Sequence, residues 1–104
     1  MDEKVTIYVD PLRHWGWILR GHQVKSCHLF TESLDLSELH AFAALLGMKR
    51  AWFQHPPVAP HYDLTERRRL HAVSLGAVEV GRREAGLIWQ ARRAMLVSVK
   101  SEQT

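Results

Sequence analysis

Hydrophobic and polar positions alternate first over residues 4–9, KVTIYV, which are rich in β-branched and aromatic side chains. This alternation predicts a β-strand that ends at Asp10 and is broken by Pro11. Residues 11–23 contain one proline and two glycines, which predicts a long loop. Residues 24–30, VKSCHLF, predict a second short strand.

Helical periodicity replaces this alternation further along the chain. Apolar residues recur at helical spacing and predict a helix over about 35–46, which Gly47 ends. Ser33 or Asp35 can cap the start of this helix. Residues 50–54, RAWFQ, then predict another strand, and a proline-rich loop follows it.

Two further helices are predicted in the second half of the chain. Asp63 can cap a helix over about 64–75, with Glu66 at the capping-box spacing. Residues 77–80, AVEV, predict a short strand. A third helix is predicted over about 84–97.

The order of these elements is β-(β)-α-β-α-β-α. Strands that alternate with helices indicate an α/β domain of two or three layers with a short, mainly parallel sheet. We expect one domain over residues 1–98 and a flexible tail over residues 99–104. Ligands of such sheets bind beyond the carboxyl ends of the strands, which draws attention to Asp10, residues 54–63 and residues 81–84.

Composition narrows the class of protein. The chain has 104 residues, 46% hydrophobic and 24% charged, which fits one globular domain and excludes disorder, collagen and coiled coil. No apolar run is long enough to cross a membrane, and the N-terminus lacks the pattern of a signal peptide. The single cysteine, Cys27, excludes a disulfide framework and a zinc site built on several thiolates. These features together predict a cytoplasmic protein.

Positive charge is concentrated in the second half of the chain. Residues 64–104 hold 8 basic and 4 acidic side chains, a net charge of +4, although the whole chain carries +3. Arginine outnumbers lysine ten to four, and its planar fork of donors suits phosphate and carboxylate groups. This charge permits attraction to a small anionic ligand or a nucleic acid without requiring it.

Two polar clusters could carry chemistry. Asp10 follows the first strand, where it could bind a metal or act as a base, or simply cap the turn before Pro11. His61, Tyr62 and Asp63 precede the second helix, where the histidine could be an acid, a base or a ligand. The alternative is that Asp63 caps the helix, Tyr62 packs and His61 is exposed.

His28 and two arginines complete the set of candidate site residues. His28 lies on an apolar strand and is either a core histidine or a site residue. Cys27 points to the opposite face of that strand, so His28 cannot activate it, and a thiol enzyme is rejected. Arg67, in the first turn of the second helix, and Arg83, after the strand at 77–80, could hold an anionic group.

Several of these segments together resemble a family. They are the run YVD at 8–10, His28-Leu29, ELHAFA at 38–43, HYD at 61–63 and LGAVEV at 75–80. The family is a small domain of bacteria and their phages with no assigned function, and the resemblance covers about residues 5–85. It implies that Asp10, His28, His61, Tyr62 and Asp63 are the shared polar set. The chain departs from the family pattern at Ser26 and Cys27, where the family has tryptophan and serine, and at Glu32, where the family usually has aspartate.

Two functional hypotheses follow, besides the alternative that all these residues only build the fold. In the first, Asp10, His28, His61 and Asp63 are catalytic, and the protein binds or hydrolyses a phosphorylated or nucleotide-like ligand. Tyr62, Arg67 and Arg83 bind that ligand, and a divalent metal, if present, is held by Asp10 and His61.

In the second hypothesis the protein is a non-catalytic interaction module of the kind that a phage encodes. It binds a host protein or nucleic acid through Trp15, Trp17 and the arginine-rich second half. No membrane contact is expected from either hypothesis.

Overall fold

The computed structural model describes residues 5–55 and 59–102 and has a mixed α/β fold. Five strands form one sheet, and three α-helices and a short 3-10 helix accompany it. The elements in chain order are β1 (Ile7–Val9), β2 (Arg13–Leu19), β3 (His22–Thr31), α1 (Ser37–Leu45), the 3-10 helix (Arg50–Trp52), β4 (Tyr62–Thr65), α2 (Glu66–Ser74), β5 (Val78–Glu79) and α3 (Arg82–Glu102).

The sheet is mixed and mostly antiparallel, so the expectation of a mainly parallel sheet was wrong. The long strand β3 pairs antiparallel with β1, β2 and β4, and only β1 and β5 run parallel. The physical reason lies between α1 and β4, where the chain reverses once more. Gln54 and His61 exchange both backbone hydrogen bonds at 2.9 Å across this reversal, which turns β4 antiparallel to β3 although a helix lies between them.

Residues 11–23, predicted to be a loop, instead contain strand β2 and the turn that joins it to β3. The two turn residues, Arg20 and Gly21, have φ values of 52° and 80°. Positive φ at both positions is typical of a type I′ hairpin turn, which matches the twist of the flanking strands. Strand β2 is largely exposed on both sides, so its sequence carries no alternation of apolar and polar residues.

Residues 50–54 were predicted to be a strand, but Arg50–Trp52 form the 3-10 helix and only Gln54 makes a β-bridge. The second predicted helix begins later than expected because Thr65, not Asp63, is its N-cap. The Thr65 hydroxyl accepts a hydrogen bond from the Arg68 amide at 3.4 Å. Asp63 therefore lies within strand β4. Helix α3 begins at Arg82 and continues to Glu102, where the sequence predicted an end near residue 97.

The ends of α1 agree better with the sequence. The N-cap is Leu36, which makes no side-chain cap hydrogen bond, and Asp35 one residue earlier accepts a hydrogen bond from the Ser37 amide at 2.9 Å. Gly47 has a φ of 77° directly after the helix, a conformation that glycine adopts without steric cost.

Two apolar clusters pack the sheet against the helices. Alternation along the strands separates them, because neighbouring strand residues point to opposite faces. The larger cluster joins the sheet to α1 and α2, and its buried members include Val9, Cys27, Leu29, Leu39, Ala43, Tyr62, Leu64 and Ala72. The smaller cluster joins Tyr8 and Phe30 to the start of α3 through Ala85, Ile88 and Trp89. No helix within the described ranges is long and apolar enough to span a lipid bilayer.

Candidate functional site

Asp10 occupies the interruption between β1 and β2 and bonds to His28 on β3. The Asp10 carboxylate accepts the backbone N–H of His28 at 2.6 Å through Oδ1 and the ring Nδ1 at 2.7 Å through Oδ2. The carboxylate takes the place of a carbonyl acceptor in the ladder, since Pro11 follows and regular pairing stops. Asp10 is buried, so these two bonds are what satisfies its charge.

Strand β4 brings the other polar residues to the same place. Asp63 is the register partner of His28 across the β3–β4 pair. His61 lies two residues before Asp63 and therefore on the same side of the chain. The Oδ1 atom of Asp63 lies 3.4 Å from Nε2 of His61 and 3.9 Å from Nε2 of His28.

Both imidazole rings are held in one orientation by their Nδ1 atoms. Nδ1 of His61 lies 2.7 Å from the carbonyl oxygen of Ala59, as Nδ1 of His28 lies beside Asp10. A carbonyl and an ionised carboxylate only accept hydrogen bonds, so Nδ1 donates the proton in both rings. In each neutral ring the lone pair is then on Nε2, and both Nε2 atoms face Asp63.

These three side chains could hold a metal ion. One ligand atom from each of His28, His61 and Asp63 lies within 4.8 Å of the others. Ligand atoms around a tetrahedral ion with bonds near 2.0–2.1 Å lie roughly 3.4 Å apart, so small side-chain rotations would complete the geometry. Asp10 would then support the ligand His28 from behind, which is the usual arrangement around metal-bound histidines.

The electrostatics of the cluster favour a positive charge beside Asp63. Burial disfavours the charged form of His61, but a protonated Nε2 can donate to Asp63, and this interaction together with the Ala59 carbonyl outweighs burial and raises the pKa of His61. The hydrogen bond with His61 is also the main reason that the pKa of Asp63 is lowered, and a hydrogen bond from the Gln54 side chain adds to it. Two lone pairs and a carboxylate thus converge on a place that a proton or a metal cation would neutralise.

A cleft of about 420 Å³, here called the imidazole cleft, opens onto this cluster. Its wall includes the edge of Trp15, whose ring centroid lies 4.9 Å from that of His28, and Trp89 of α3. Arg13 and Arg82 also line it. The carboxyl ends of the parallel pair β1 and β5 meet here, since Asp10 and Arg82 follow those two strands closely.

The structure brings four of the predicted site residues together and leaves three elsewhere. Asp10, His28, His61 and Asp63 form the cluster just described. Tyr62 points the opposite way into the core, where it is 1% exposed and its hydroxyl lies 2.8 Å from Nδ1 of His40. The two remaining predicted residues, Arg67 and Arg83, are exposed and do not line the imidazole cleft.

Of the two arginines that line the cleft, Arg82 lies in the segment 81–84 that the sequence singled out, although Arg83 was chosen there as the anion ligand, and Arg13 was not predicted. Arg82 is the direct neighbour of the predicted Arg83, and a helix start at residue 82 in place of 84 would have pointed to it. Arg13 lies in a strand that was predicted to be a loop. Among the three consecutive arginines of α2, Arg69 is the one that supports the site, because its Nε donates to the Asp10 carbonyl at 2.9 Å.

Cys27 takes no part in the cluster. The thiol is buried beneath His28 on the other face of β3, and burial raises its pKa to about 12. A thiol with this pKa stays protonated and is a poor nucleophile at neutral pH.

These observations define the class of protein. It is a small mixed α/β domain that carries a cluster of histidine and aspartate side chains on one face of its sheet. Residues 7–92 match the model of the family described as protein of unknown function, DUF4031, and the chain belongs to that family. Searches of curated proteins and of solved structures found no match.

Proposed function

We propose that this protein binds a divalent metal ion through His28, His61 and Asp63 and uses it to hydrolyse a phosphorylated, nucleotide-like ligand. The observation that carries the proposal is that His28, His61 and Asp63 each place one ligand atom within 4.8 Å of the others, with both Nε2 atoms facing Asp63. Both rings are already fixed through Nδ1, so a metal would meet the correct tautomers. Two histidines and one carboxylate leave further coordination positions for water and ligand, as in catalytic metal sites.

The chemistry of the site suits a phosphate ester. A metal ion there would lower the pKa of a bound water and supply hydroxide at neutral pH. The hydroxide would attack phosphorus, the bond from phosphorus to the ester oxygen would break, and the leaving oxygen would take up a proton from water. Arg13 and Arg82 line the same cleft and would bind the phosphate oxygens.

Metal binding is tested first by isothermal titration of Zn²⁺ and Mn²⁺ into metal-stripped protein. We expect one ion per chain, lost in Asp63→Asn and His61→Gln. His71→Gln is the matched control, because His71 is exposed on α2 and lies outside the cluster. Retention of full affinity in both site variants would overturn the proposed metal site.

Hydrolysis is tested with bis(p-nitrophenyl) phosphate, which releases a coloured phenolate when cleaved. We expect turnover by the metal-loaded protein and its loss in Asp63→Asn. Metal binding without turnover of this or any nucleotide phosphate would favour a second candidate, a non-catalytic interaction module. That candidate is supported by Trp15, which is 50% exposed on strand β2.

A further inference from the structure

All four tryptophans of the chain line two clefts that flank the His28–His61–Asp63 cluster. Trp15 and Trp89 line the imidazole cleft. Trp17 and Trp52 line a second cleft of about 430 Å³, here called the Trp52 cleft. Asp63 is part of the wall of the Trp52 cleft, so the two clefts meet at the cluster.

A break in strand β2 directs its two tryptophans to different clefts. Residues two apart in a regular strand point to the same face. Between Trp15 and Trp17 lies Gly16, whose φ of 88° is rarely adopted by residues with a side chain. The register between β2 and β3 also shifts between His14 and Ile18. The strand therefore places one indole on each side of the cluster.

Arginines accompany the tryptophans in both clefts. The Arg13 guanidinium lies 5.1 Å from the Trp15 ring centroid, and that of Arg68 lies 5.5 Å from the Trp52 centroid. Arg82 adds a second positive charge to the imidazole cleft. Flat aromatic and guanidinium groups on both sides of a cluster that would hold a metal cation fit a ligand with two planar rings joined by a negatively charged link.

We infer that the ligand is single-stranded nucleic acid, with one phosphodiester at the His28–His61–Asp63 cluster and the two adjacent bases in the imidazole cleft and the Trp52 cleft. This inference rests on the proposed function for the role of the cluster. Stacking on aromatic side chains with cationic support is how proteins bind single strands without reading their sequence. A duplex keeps its bases stacked inside the helix and could not supply them to the clefts.

Gln54 connects the second cleft to the cluster. Its side-chain amide donates to Oδ2 of Asp63, while Oδ1 of the same carboxylate faces the two histidines. Gln54 also lines the Trp52 cleft. A base in that cleft would therefore contact the residue that orients Asp63, so a correctly seated strand would hold the carboxylate in place.

Fluorescence anisotropy of a 3′-labelled deoxythymidine hexamer tests the inference in EDTA, without metal, so that base stacking is measured alone. Stacking contributes about 1–3 kcal/mol per base, so Trp17→Ala and Trp52→Ala should each weaken binding by roughly 5- to 150-fold. Ile18→Ala is the control, since Ile18 is exposed on the same strand and lines neither cleft. Equal binding by the tryptophan variants and the control would overturn the inference.

Competition with unlabelled probes separates the ligand classes. We expect an unlabelled hexamer to displace the labelled one at concentrations far below those needed for thymidine monophosphate or a hairpin duplex. Displacement by the mononucleotide at the same concentration would mean that a single cleft does the binding, and displacement by the duplex would exclude base insertion. Either result overturns the inference.

The metal titration keeps the two proposals distinguishable. If the hexamer does not bind while Zn²⁺ or Mn²⁺ does, the nucleic acid inference is wrong and the proposed metal site stands. If the hexamer binds with the expected tryptophan dependence while no metal binds, the clefts are supported and the metal-dependent function is wrong. Arg82→Gln should reduce the salt dependence of hexamer binding, whereas Arg93→Gln, which lines neither cleft, should leave it unchanged.

Discussion

In the segment from His61 to Leu64, alternate residues lie in two different environments on opposite faces of the sheet. His61 and Asp63 face the cluster with His28, whereas Tyr62 and Leu64 are buried in the larger core. Each face contains a histidine whose Nδ1 has a fixed partner, but the partners differ. His61 neighbours a carboxylate and its pKa is raised, while burial is the main cause of the lowered pKa of His40 beside Tyr62.

This difference shows that the pKa of a histidine depends on the groups that contact its ring and not on the helix or strand that carries it. The core pair of His40 and Tyr62 is a neutral hydrogen bond among aromatic rings, including Phe53. The cluster on the other face places the Nε2 atoms of His28 and His61 beside the Asp63 carboxylate. Substitutions on the two faces should therefore affect different measurements, stability on one and ligand binding on the other.

The largest expected effect is on the core face. Leu64 is fully buried, so Leu64→Ala should lower the free energy of unfolding by about 2–5 kcal/mol through lost burial and the cavity left behind. Its neighbour Asp63 is half-buried, and Asp63→Asn should change stability by less than about 1 kcal/mol. Urea denaturation measures the free energy of unfolding of both variants. Equal losses of stability in Leu64→Ala and Asp63→Asn would contradict the assignment of the two faces.

Asp10→Asn should weaken metal binding by roughly 10- to 100-fold, as loss of a partner behind a metal-bound histidine generally does. The asparagine amide can donate to Nδ1 of His28, which would move the ring proton to Nε2 and block the ligand atom. Calorimetric titration of the metal measures this effect. Tyr62→Phe serves as control on the opposite face, and an unchanged affinity in Asp10→Asn would remove Asp10 from the metal site.

Tyr62→Phe should destabilise the fold by about 0.5–1.5 kcal/mol, because the hydrogen bond between its hydroxyl and His40 is lost while the ring stays packed. Metal affinity should not change. Urea denaturation and metal titration of the same preparation provide both numbers. A loss of metal affinity in this variant would show that the two faces are coupled through the strand.

The smallest effect concerns pH. The pKa of His40 is lowered in the folded state by burial and by the nearby charges of Arg50 and His55. Its contribution to stability is therefore complete above the unfolded pKa of about 6.5 and is lost as the pH falls towards the lowered value. His40→Gln should show a smaller loss of stability than the parent between pH 7 and pH 5 in urea titrations, and identical losses would contradict this assignment.

The sequence predicted which polar side chains lie together better than it predicted the sheet. The rule about parallel strand ends grouped Asp10 with residues 54–63 and with the segment after β5. The grouping is right, but the rule does not explain it, because Asp63 lies within the antiparallel strand β4. Asp63, however, has a side chain suited to capping a helix. The local sequence does not show that the cap is Thr65 and that Asp63, two positions earlier, belongs to a strand. Only the pairing of His28 with Asp63, a contact between distant parts of the chain, decides the matter.

Tertiary contacts also explain what was missed in the fold. Strand β2 is exposed on both sides, so burial left no alternation in its sequence, and its pairing with β3 is the reason that it is a strand. The antiparallel direction of β4 depends on the reversal between Gln54 and His61, which follows a helix and therefore resembled a parallel crossover. The periodicity of apolar residues indicates which face of a helix or strand is buried. It does not indicate whether the next strand runs parallel or antiparallel to its neighbour.

The burial of Cys27 beneath the cluster has a practical consequence for following the protein in solution. It is the chain's single thiol, it lies in the central strand, and its protonated form is strongly favoured. A thiol-specific reagent can therefore modify it only when β3 separates from its neighbours. The rate of that modification therefore measures how often the strand that carries His28 opens. It can be followed by mass spectrometry without an engineered label.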